Sequence, residues 1–541
     1  MRRSQIWFTA ALMIASTAFV VVAVQAAEND KKAPSAKFFS EPTIRTFEFQ
    51  ISDAALNQLR RSPRSYVTGT VREGDHVLTN VAIRIKGMGS FRNVDSKPSL
   101  AVKFDEFATN QHYRGLSKLM FNNSVQDPTY LAEMIATQMF RDAGVPAARV
   151  THARVQLNGR DFGLYVVIEA MNKQFLKQHF TDASGNLYEA YLGDIDSRME
   201  QDSGVPGNQS DVHKLYAACR VQDPTERWTQ LNKVLDVDRF VSFVAMEMFT
   251  SHWDGYAIHT NNYRIYHDPK TDKFTFITHG IDWAFKRPNV SAMPPPLKSI
   301  VGRAVFSTPE GEKLYNERVR TLFTSVFKVP VITNRIEQAL AKIRSGKFPP
   351  NYLASLERGA TVFRERVRQR GLSVSNELAG IPPMSLKFDA GGVATLSQTN
   401  LWRDEPDRGD PLLDIVKFDG KETLHIRAQN ESTRVSWRSQ NYLKPGWYRF
   451  EGMARTESLR GGTVRLRISG DNRSVGVADT AGRWRPLTHV FEVRDKGMDV
   501  EFVCELNAMQ GDAWFDVGSF RVRRITAQDA AMTSPFRRVI E

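Results

Sequence analysis

The chain has 541 residues, too many for one ordinary domain, and its 41% hydrophobic and 25% charged content is that of a globular protein with more than one core. A formal net charge of +13 suits anionic partners such as phosphates, envelope polymers or membrane surfaces, while the lack of a long basic run with interleaved aromatics argues against nucleic acid. Cys219 and Cys504 stand far apart and read as free, buried small hydrophobes, which excludes a disulfide scaffold.

Arg2 and Arg3 precede an apolar run over residues 6–24, and Val24-Gln25-Ala26 closes it in a small-residue cleavage pattern. Residues 1–26 therefore read as a secretory signal peptide, and only an uncleaved signal would tie the chain to a membrane. An exported protein is expected: periplasmic, cell-surface or secreted. Residues 27–42 are polar and contain proline, as a linker does.

From 43 to 107 the runs IRTFEFQI, SYVTGTV, VLTNVAIRIKG and SLAVKF alternate, predicting an antiparallel sheet with turns at 72–75 and 93–98. Gly87, Gly89 and Ser90 follow its strongest strand, where a loop either brings backbone N–H groups close to phosphates or simply turns. Asp127-Pro128 predicts a helix start, with a helix over 129–143 carrying Glu133 and ended by Gly144 and Pro146. Asn158-Gly159 predicts a hairpin between two strands, the second ending at Glu169. Residues 172–224 are polar and irregular, predicting an insertion or lid.

A strongly apolar helix is predicted over 238–250, leading directly into HWDGYAIHTNNYRIYHDPKTDKFTFITHGIDWAF at 252–285. Here Asp254 sits in a turn-like run, Asn261 and Asn262 open an alternating segment, a turn at 268–272 makes a hairpin, and Asp282 lies just past it. Protein kinases present an aspartate, an asparagine and a metal-binding aspartate in this order, because phosphoryl transfer needs a carboxylate at the acceptor hydroxyl and hard oxygen ligands for Mg²⁺. His252, His259, His267 and His279 crowd the same stretch, but no HxxxH or HxH pair occurs among them, so a transition-metal hydrolase is the weaker reading. Residues 287–299 are proline-rich loop, and 310–375 read as amphipathic helix broken at Phe348-Pro349-Pro350. After Gly380-Ile381-Pro382-Pro383, short alternating strands recur over 384–525, predicting an all-β sandwich of jelly-roll type.

The segments IRIKGMGSF (83–91), KPSLAVKFDEF (97–107), DPTYLAEMIATQMFRDAGVP (127–146), VQLNGRDFGLYVVIE (155–169), WDGYAIHTNNYRIY (253–266) and FITHGIDWAF (276–285) together resemble the spore-coat CotH family of atypical, kinase-like proteins. The resemblance implies an α+β fold over 43–375, a diverged two-lobed kinase domain that uses ATP with Mg²⁺ or Mn²⁺ to phosphorylate protein hydroxyls. By the same resemblance Lys103 holds the nucleotide phosphates, Glu133 is its helix partner, and Asp254 is the catalytic-loop aspartate. Asn261 or Asn262 with Asp282 bind metal, Arg84 with the loop of Gly87 and Ser90 forms the phosphate segment, and Glu169 falls at the hinge. There are departures: no Asp-Phe-Gly follows, since Trp283 and Ala284 stand after Asp282, and Lys86 competes with Lys103 because it immediately precedes the glycine loop. The C-terminal module resembles carbohydrate-binding sandwiches through LKPGWYRFEGMART (443–456), LRISG (466–470) and GDAWFDVGSFRVRR (511–524). That implies a polysaccharide ligand, with Trp402 and Trp484 the better candidates for exposed stacking faces among Trp402, Trp437, Trp447, Trp484 and Trp514. The expected partners are thus a protein acceptor outside the cytoplasm and a glycan; the alternative is a non-catalytic kinase-like adhesion protein.

Overall fold

Alternation along residues 45–169 does more than build a sheet: it closes one. In the computed structural model, strands β1 (Arg45–Ile51), β2 (Val67–Glu73), β3 (His76–Lys86), β4 (Ser99–Lys103), β5 (Lys118–Asn122), β6 (Val150–Leu157) and β7 (Arg160–Glu169) form a closed barrel in the order β1-β2-β3-β4-β5-β7-β6. The structure describes residues 35–533 except 191, 208, 382–384, 409–410, 430–431, 472–473 and 495–496, so the signal-peptide reading and the first half of the linker lie outside the described residues. Neighbouring strands pair antiparallel as expected, but the pair that closes the barrel, β1 with β6, is parallel, Phe47 standing opposite Val155. Inward positions repeat every second residue, and Phe47, Phe49, Ile83, Ile85, Val102, Phe121 and Tyr165 fill the interior. Asn158 and Gly159 both take positive φ (50° and 81°), the geometry of a tight two-residue hairpin, and Asn158 also hydrogen-bonds Ile51 N and O across to β1.

Short helices α1 (Ala36–Ser40) and α2 (Asp53–Arg61) belong to the barrel region, and α3 (Ala132–Asp142) follows β5. The helix predicted over 129–143 begins later because Asp127 caps it from five residues back. Its carboxylate accepts from Thr129 N, Thr129 Oγ1 and Ala132 N at 2.6–3.0 Å, holding the intervening residues in a turn.

The segment expected to be an insertion is structured. It contains α4 (Lys173–His179), β8 (Asn186–Glu189), β9 (Glu200–Ser203) and α5 (Ser210–Arg220). After α6 (Pro224–Val234), α7 (Val237–Phe249) and α8 (Tyr256–His259), strands β10 (Tyr263–Asp268) and β11 (Lys273–Thr278) make the predicted hairpin, and β8 and β9 extend it to a four-stranded sheet, β11-β10-β8-β9. The helix α7 is buried along nearly its whole length, as its apolar sequence requires. Helices α9 (Ile300–Phe306), α10 (Pro309–Ser325) and α11 (Val329–Arg344) complete this part.

The chain divides into two compact units: the described residues of Met1–Ala284 with Ala292–Phe348, and those of Phe285–Ser291 with Pro349–Glu541. The long helix α12 (Pro350–Leu378) therefore groups with the C-terminal strands, and so does the short strap Phe285–Ser291. Within that second unit the buried Arg370 guanidinium donates to the carbonyls of Pro288 and Val290 at 2.8 and 2.6 Å, and Asn289 binds the Asp499 carboxylate at 2.7 and 2.8 Å.

Strands β12 (Val393–Thr395), β13 (Arg403–Arg408), β14 (Leu412–Phe418), β15 (Lys421–Ala428), β16 (Thr433–Leu443), β17 (Gly446–Arg460), β18 (Thr463–Ile468), β19 (Arg485–Val493), β20 (Met498–Ala508) and β21 (Gln510–Ile525) form two sheets, followed by α13 (Ala527–Thr533). One sheet runs β14-β15-β21-β17-β19 with β12 on β21; the other runs β13-β16-β20-β18. Trp402 and Trp437 lie in the core between them at 1% and 0% exposure, which removes Trp402 from the candidate sugar-stacking faces. Trp514 is stacked between Phe418 (4.3 Å) and His425 (4.9 Å), whereas Trp484 is half-buried and donates to Asp419 at 2.8 Å. Both cysteines are free and buried.

Candidate active site

The turn after α7 is fixed by one buried carboxylate. Glu247 lies on the last turn of α7, fully buried, and its two oxygens accept from Tyr256 N at 2.8 Å and Ala257 N at 2.7 Å, the free amides that open α8. A Cβ on Gly255 would stand 2.3 Å from Glu247 Oε1, so only glycine lets the carboxylate come this close. Burial pushes the Glu247 carboxyl up to about 8, against the two backbone donors that favour its charged form. The clamp sets the position of Asp254, immediately before Gly255.

Both asparagines of the pair then turn toward Asp254. Asn262 Nδ2 donates to Asp254 Oδ2 and to its carbonyl, both at 3.0 Å, and Asn261 Nδ2 donates to Asp254 Oδ1 at 3.3 Å. The hairpin β10–β11 returns the chain to the same place. His279 N donates to Asn262 O at 3.2 Å, and Gly280, at φ 59°, packs so closely that a Cβ there would lie 2.6 Å from Asn262 Oδ1. Asp282 follows two residues later. Asp254, Asn261 and Asn262 are thus gathered at a glycine-dependent crossing of two turns, with Asp282 two residues beyond it.

A second cluster forms around Glu133 of α3, which is buried at 5% exposure and accepts from Asn122 Nδ2 at 3.2 Å. Burial, and next the negative charge of Asp282, push its carboxyl well above the usual range, while Lys86 acts in the opposite sense. Lys86, the last residue of β3, has its ammonium lowered by burial, with Glu133, Asp282 and Glu189 opposing that shift. Lys86, Glu133 and Asp282 are therefore electrostatic neighbours at the base of the glycine loop. That loop turns at Gly87 (φ 93°), where a Cβ would meet Ser90 Oγ at 2.6 Å. Arg64 holds the Gly87 carbonyl and Asn123 Nδ2 holds the Ser90 carbonyl at 3.0 Å, leaving the loop tip exposed at Met88 and Gly89.

Lys103 is not in this cluster. It pairs with Glu106 at 2.7 Å and stands opposite Ala82 in the β3–β4 ladder, whereas Lys86 stands opposite Ser99. Four residues of strand separate the two lysines, about 13 Å. Lys103 and Arg84 instead flank the ring of Tyr66 at 5.0 and 4.9 Å. Glu169 also differs from expectation: at 2% exposure its side chain is committed to Arg149 (2.6 and 2.9 Å) and Gln178 (2.8 Å), a barrel-end ion pair. Of the four histidines His252 and His279 are neighbours, both held neutral by burial and lowered to about 3, while His267 lies between Asp211 and Asp272 and His259 contacts the Trp253 carbonyl. Sequence reading missed Asn122 and Glu247; nothing in their local pattern marks a polar residue aimed inward at a turn.

Among the described residues no three His, Cys, Asp or Glu side chains stand close enough to hold a metal by themselves. The donor set nonetheless fits a hard divalent cation. Asp282 supplies a carboxylate whose charge already opposes ionisation of Glu133, and the Asn261 and Asn262 carboxamides, their N–H groups spent on Asp254, keep their oxygens for a cation.

A family model described as CotH kinase protein matches residues 83–358, half of the chain, from Arg84 and the glycine loop through Asp282. The chain belongs to the CotH family. Invasin CotH2 of Rhizopus delemar is 25% identical over 291 residues, 48% of this chain and 48% of that protein. Inner spore coat protein H of Bacillus subtilis is 20% identical over 298 residues, 49% of this chain and 80% of that one. The chain thus spans about half the length of the Rhizopus delemar invasin it matches. Among solved structures the chain is similar to TmCBM61 in complex with beta-1,4-galactotriose (19% identical, TM-score 0.20, 26% of this chain and 99% of that one) and to the CBM22-1 xylan-binding domain of Paenibacillus barcinonensis Xyn10C (14%, TM-score 0.19, 27% and 99%). Among the described residues no helix is long and apolar enough to cross a membrane.

Proposed function

We propose that this CotH-family chain is an atypical protein kinase, a diverged two-lobed kinase domain that transfers the γ-phosphate of ATP to protein hydroxyls in the envelope or outside the cell. The observation that carries the reading is Asp254 held by Asn261 and Asn262 on one turn, with the buried Glu133 held by Asn122 and close enough to Lys86 and Asp282 for both to act on its charge. Burying a carboxylate within reach of a like charge is costly unless a ligand uses it, so the buried Glu133 near Asp282 is better explained by a nucleotide than by stability. Lys86, not Lys103, neutralises phosphate charge, and Glu133 with Asn122 orients it. The exposed loop over Gly87, Gly89 and Ser90 covers the phosphates. Asp282 with Asn261 or Asn262 would hold Mg²⁺ or Mn²⁺, which supplies counter-charge to the β- and γ-phosphates when bound. Asp254 accepts the acceptor proton as the hydroxyl oxygen bonds to the γ-phosphorus and the bond to the bridging oxygen breaks, releasing ADP. The polysaccharide ligand of the C-terminal unit is a further part of the proposal, with the half-buried Trp484 its best stacking face.

Calorimetric titration of Mn-ATP tests the reading. Wild type binds, and Asp282→Asn loses measurable binding because the phosphates lose their main counter-charge. No binding to wild type leaves the non-catalytic adhesion reading in its place.

A further inference from the structure

A pocket of about 880 Å³ opens on the first unit, walled by Tyr216 and Arg220 of α5, Leu297 and Pro295 of the proline-rich loop, and Arg303 and Phe306 of α9. Its size is that of a ligand site and its walls are mainly apolar. The wall is hung on the turn that carries Asp254. Asp194 accepts from Tyr256 Oη at 2.8 Å through one oxygen and from Ile300 N at 2.6 Å through the other, and Val301 N donates to Tyr256 Oη at 3.2 Å. Lys298 N donates to Ala257 O at 2.8 Å. Ile300 and Leu297 line the pocket, and Tyr256 and Ala257 stand just after Asp254, so a chain lying in the pocket lies beside the turn that carries the general base.

The charges favour one kind of occupant. Arg220 and Arg303 are exposed, and no carboxylate pairs with either among the described residues. Arg227, in the same wall, spends its donors on the carbonyls of Val221, Gln222 and Ala304 and on Ser307 Oγ, with no carboxylate partner among the described residues. Asp196 and Glu312 also line the pocket, so its balance stays positive, as does that of the whole chain at +13. We infer that this pocket docks the acceptor polypeptide, and that it selects a segment in which acidic residues flank an aliphatic or aromatic side chain. The apolar side chain enters between Leu297 and Phe306, and the acids meet Arg220 and Arg303. The inference rests on the kinase reading for what the docked chain is, but not for whether it docks.

The test is fluorescence anisotropy without nucleotide, using a labelled serine peptide rich in glutamate and leucine and its lysine-for-glutamate counterpart. Wild type binds the acidic peptide about tenfold tighter, and Arg220→Glu/Arg303→Glu reverses the order, since both sites are exposed and the exchange leaves the fold intact. Equal binding of the two peptides, binding of neither, or an order unchanged in the double variant overturns the inference. Mn-ATP titration of the same proteins keeps the two ideas apart. Peptide selectivity without nucleotide binding sinks the kinase reading alone, and nucleotide binding without charge-dependent selectivity sinks the pocket alone.

Discussion

Lys86 and Lys103 lie on adjacent strands and could be exchanged in a sequence comparison, yet their surroundings differ in kind. Both are half-buried, but one ends its strand within reach of the charges of a buried glutamate and an aspartate, and the other has its charge already matched by Glu106. Removing a charge that faces phosphate costs about 1.5–3 kcal/mol, whereas a surface ion pair is worth about 0–1 kcal/mol. Lys86→Met is therefore expected to weaken Mn-ATP binding by at least about tenfold, and Lys103→Met to leave it within about threefold. Calorimetry on the two variants distinguishes them, and the reverse ranking would return the phosphate-binding role to Lys103.

At the scale of elements, histidine burial sets a pH limit on the loop that leads into α3. His152 of β6 donates from Nε2 to Tyr130 O at 2.7 Å, fixing the turn between Asp127 and Ala132, and burial lowers its ring to about 4; His179 of α4 is likewise lowered to about 4. The unfolded chain takes up these protons below about pH 6.5, the folded chain only near 4, so the unfolded state binds more protons between those values and stability falls as pH falls through that window. The urea midpoint is expected to drop between pH 7 and pH 5, and His152→Gln, which keeps a donor for Tyr130, to lose less over the same interval. An unchanged pH dependence in the variant would remove His152 as a cause.

Part of what could be read locally at this scale was read correctly, although the helices α4 and α5 were missed. The Asn158-Gly159 hairpin, the apolar helix α7 and the hairpin β10–β11 all announce themselves through periodicity and turn residues within a few positions. What depends on distant partners could not be. The β1–β6 pairing that closes the barrel joins segments about a hundred residues apart, and β8 and β9 are only four residues each and become strands because β10 offers an edge to β8 and β8 in turn offers one to β9. The site followed the same rule. Asp254, the two asparagines and Asp282 were visible in order, because their spacing is local. The choice between Lys86 and Lys103 was not, because it depends on the register of β3 with β4 and on which lysine reaches a helix more than forty residues later in the chain.

For the molecule as a whole, the division of the chain after Phe348 makes the C-terminal module larger than its strands: it includes α12 and the strap Phe285–Ser291. A fragment from Pro349 to Thr533 keeps the sandwich core but leaves the buried Arg370 without the Pro288 and Val290 carbonyls, and Asp499 without Asn289. Unsatisfied buried groups cost about 1–3 kcal/mol each, so the fragment should fold, melt several degrees lower than the same module in the intact chain, and be stabilised by a synthetic peptide of residues 285–291. A melting temperature indifferent to that peptide would show the strap to be passive. The central claim, that the gathered residues transfer phosphate, is met most directly by one measurement: incorporation of label from γ-labelled Mn-ATP into a serine peptide library by wild type and Asp254→Asn. The expected result is transfer by wild type and a loss of about 10²–10⁴-fold in the variant, the usual share of a general base, with Mn-ATP affinity unchanged. No transfer by wild type, or equal transfer by the variant, would contradict it.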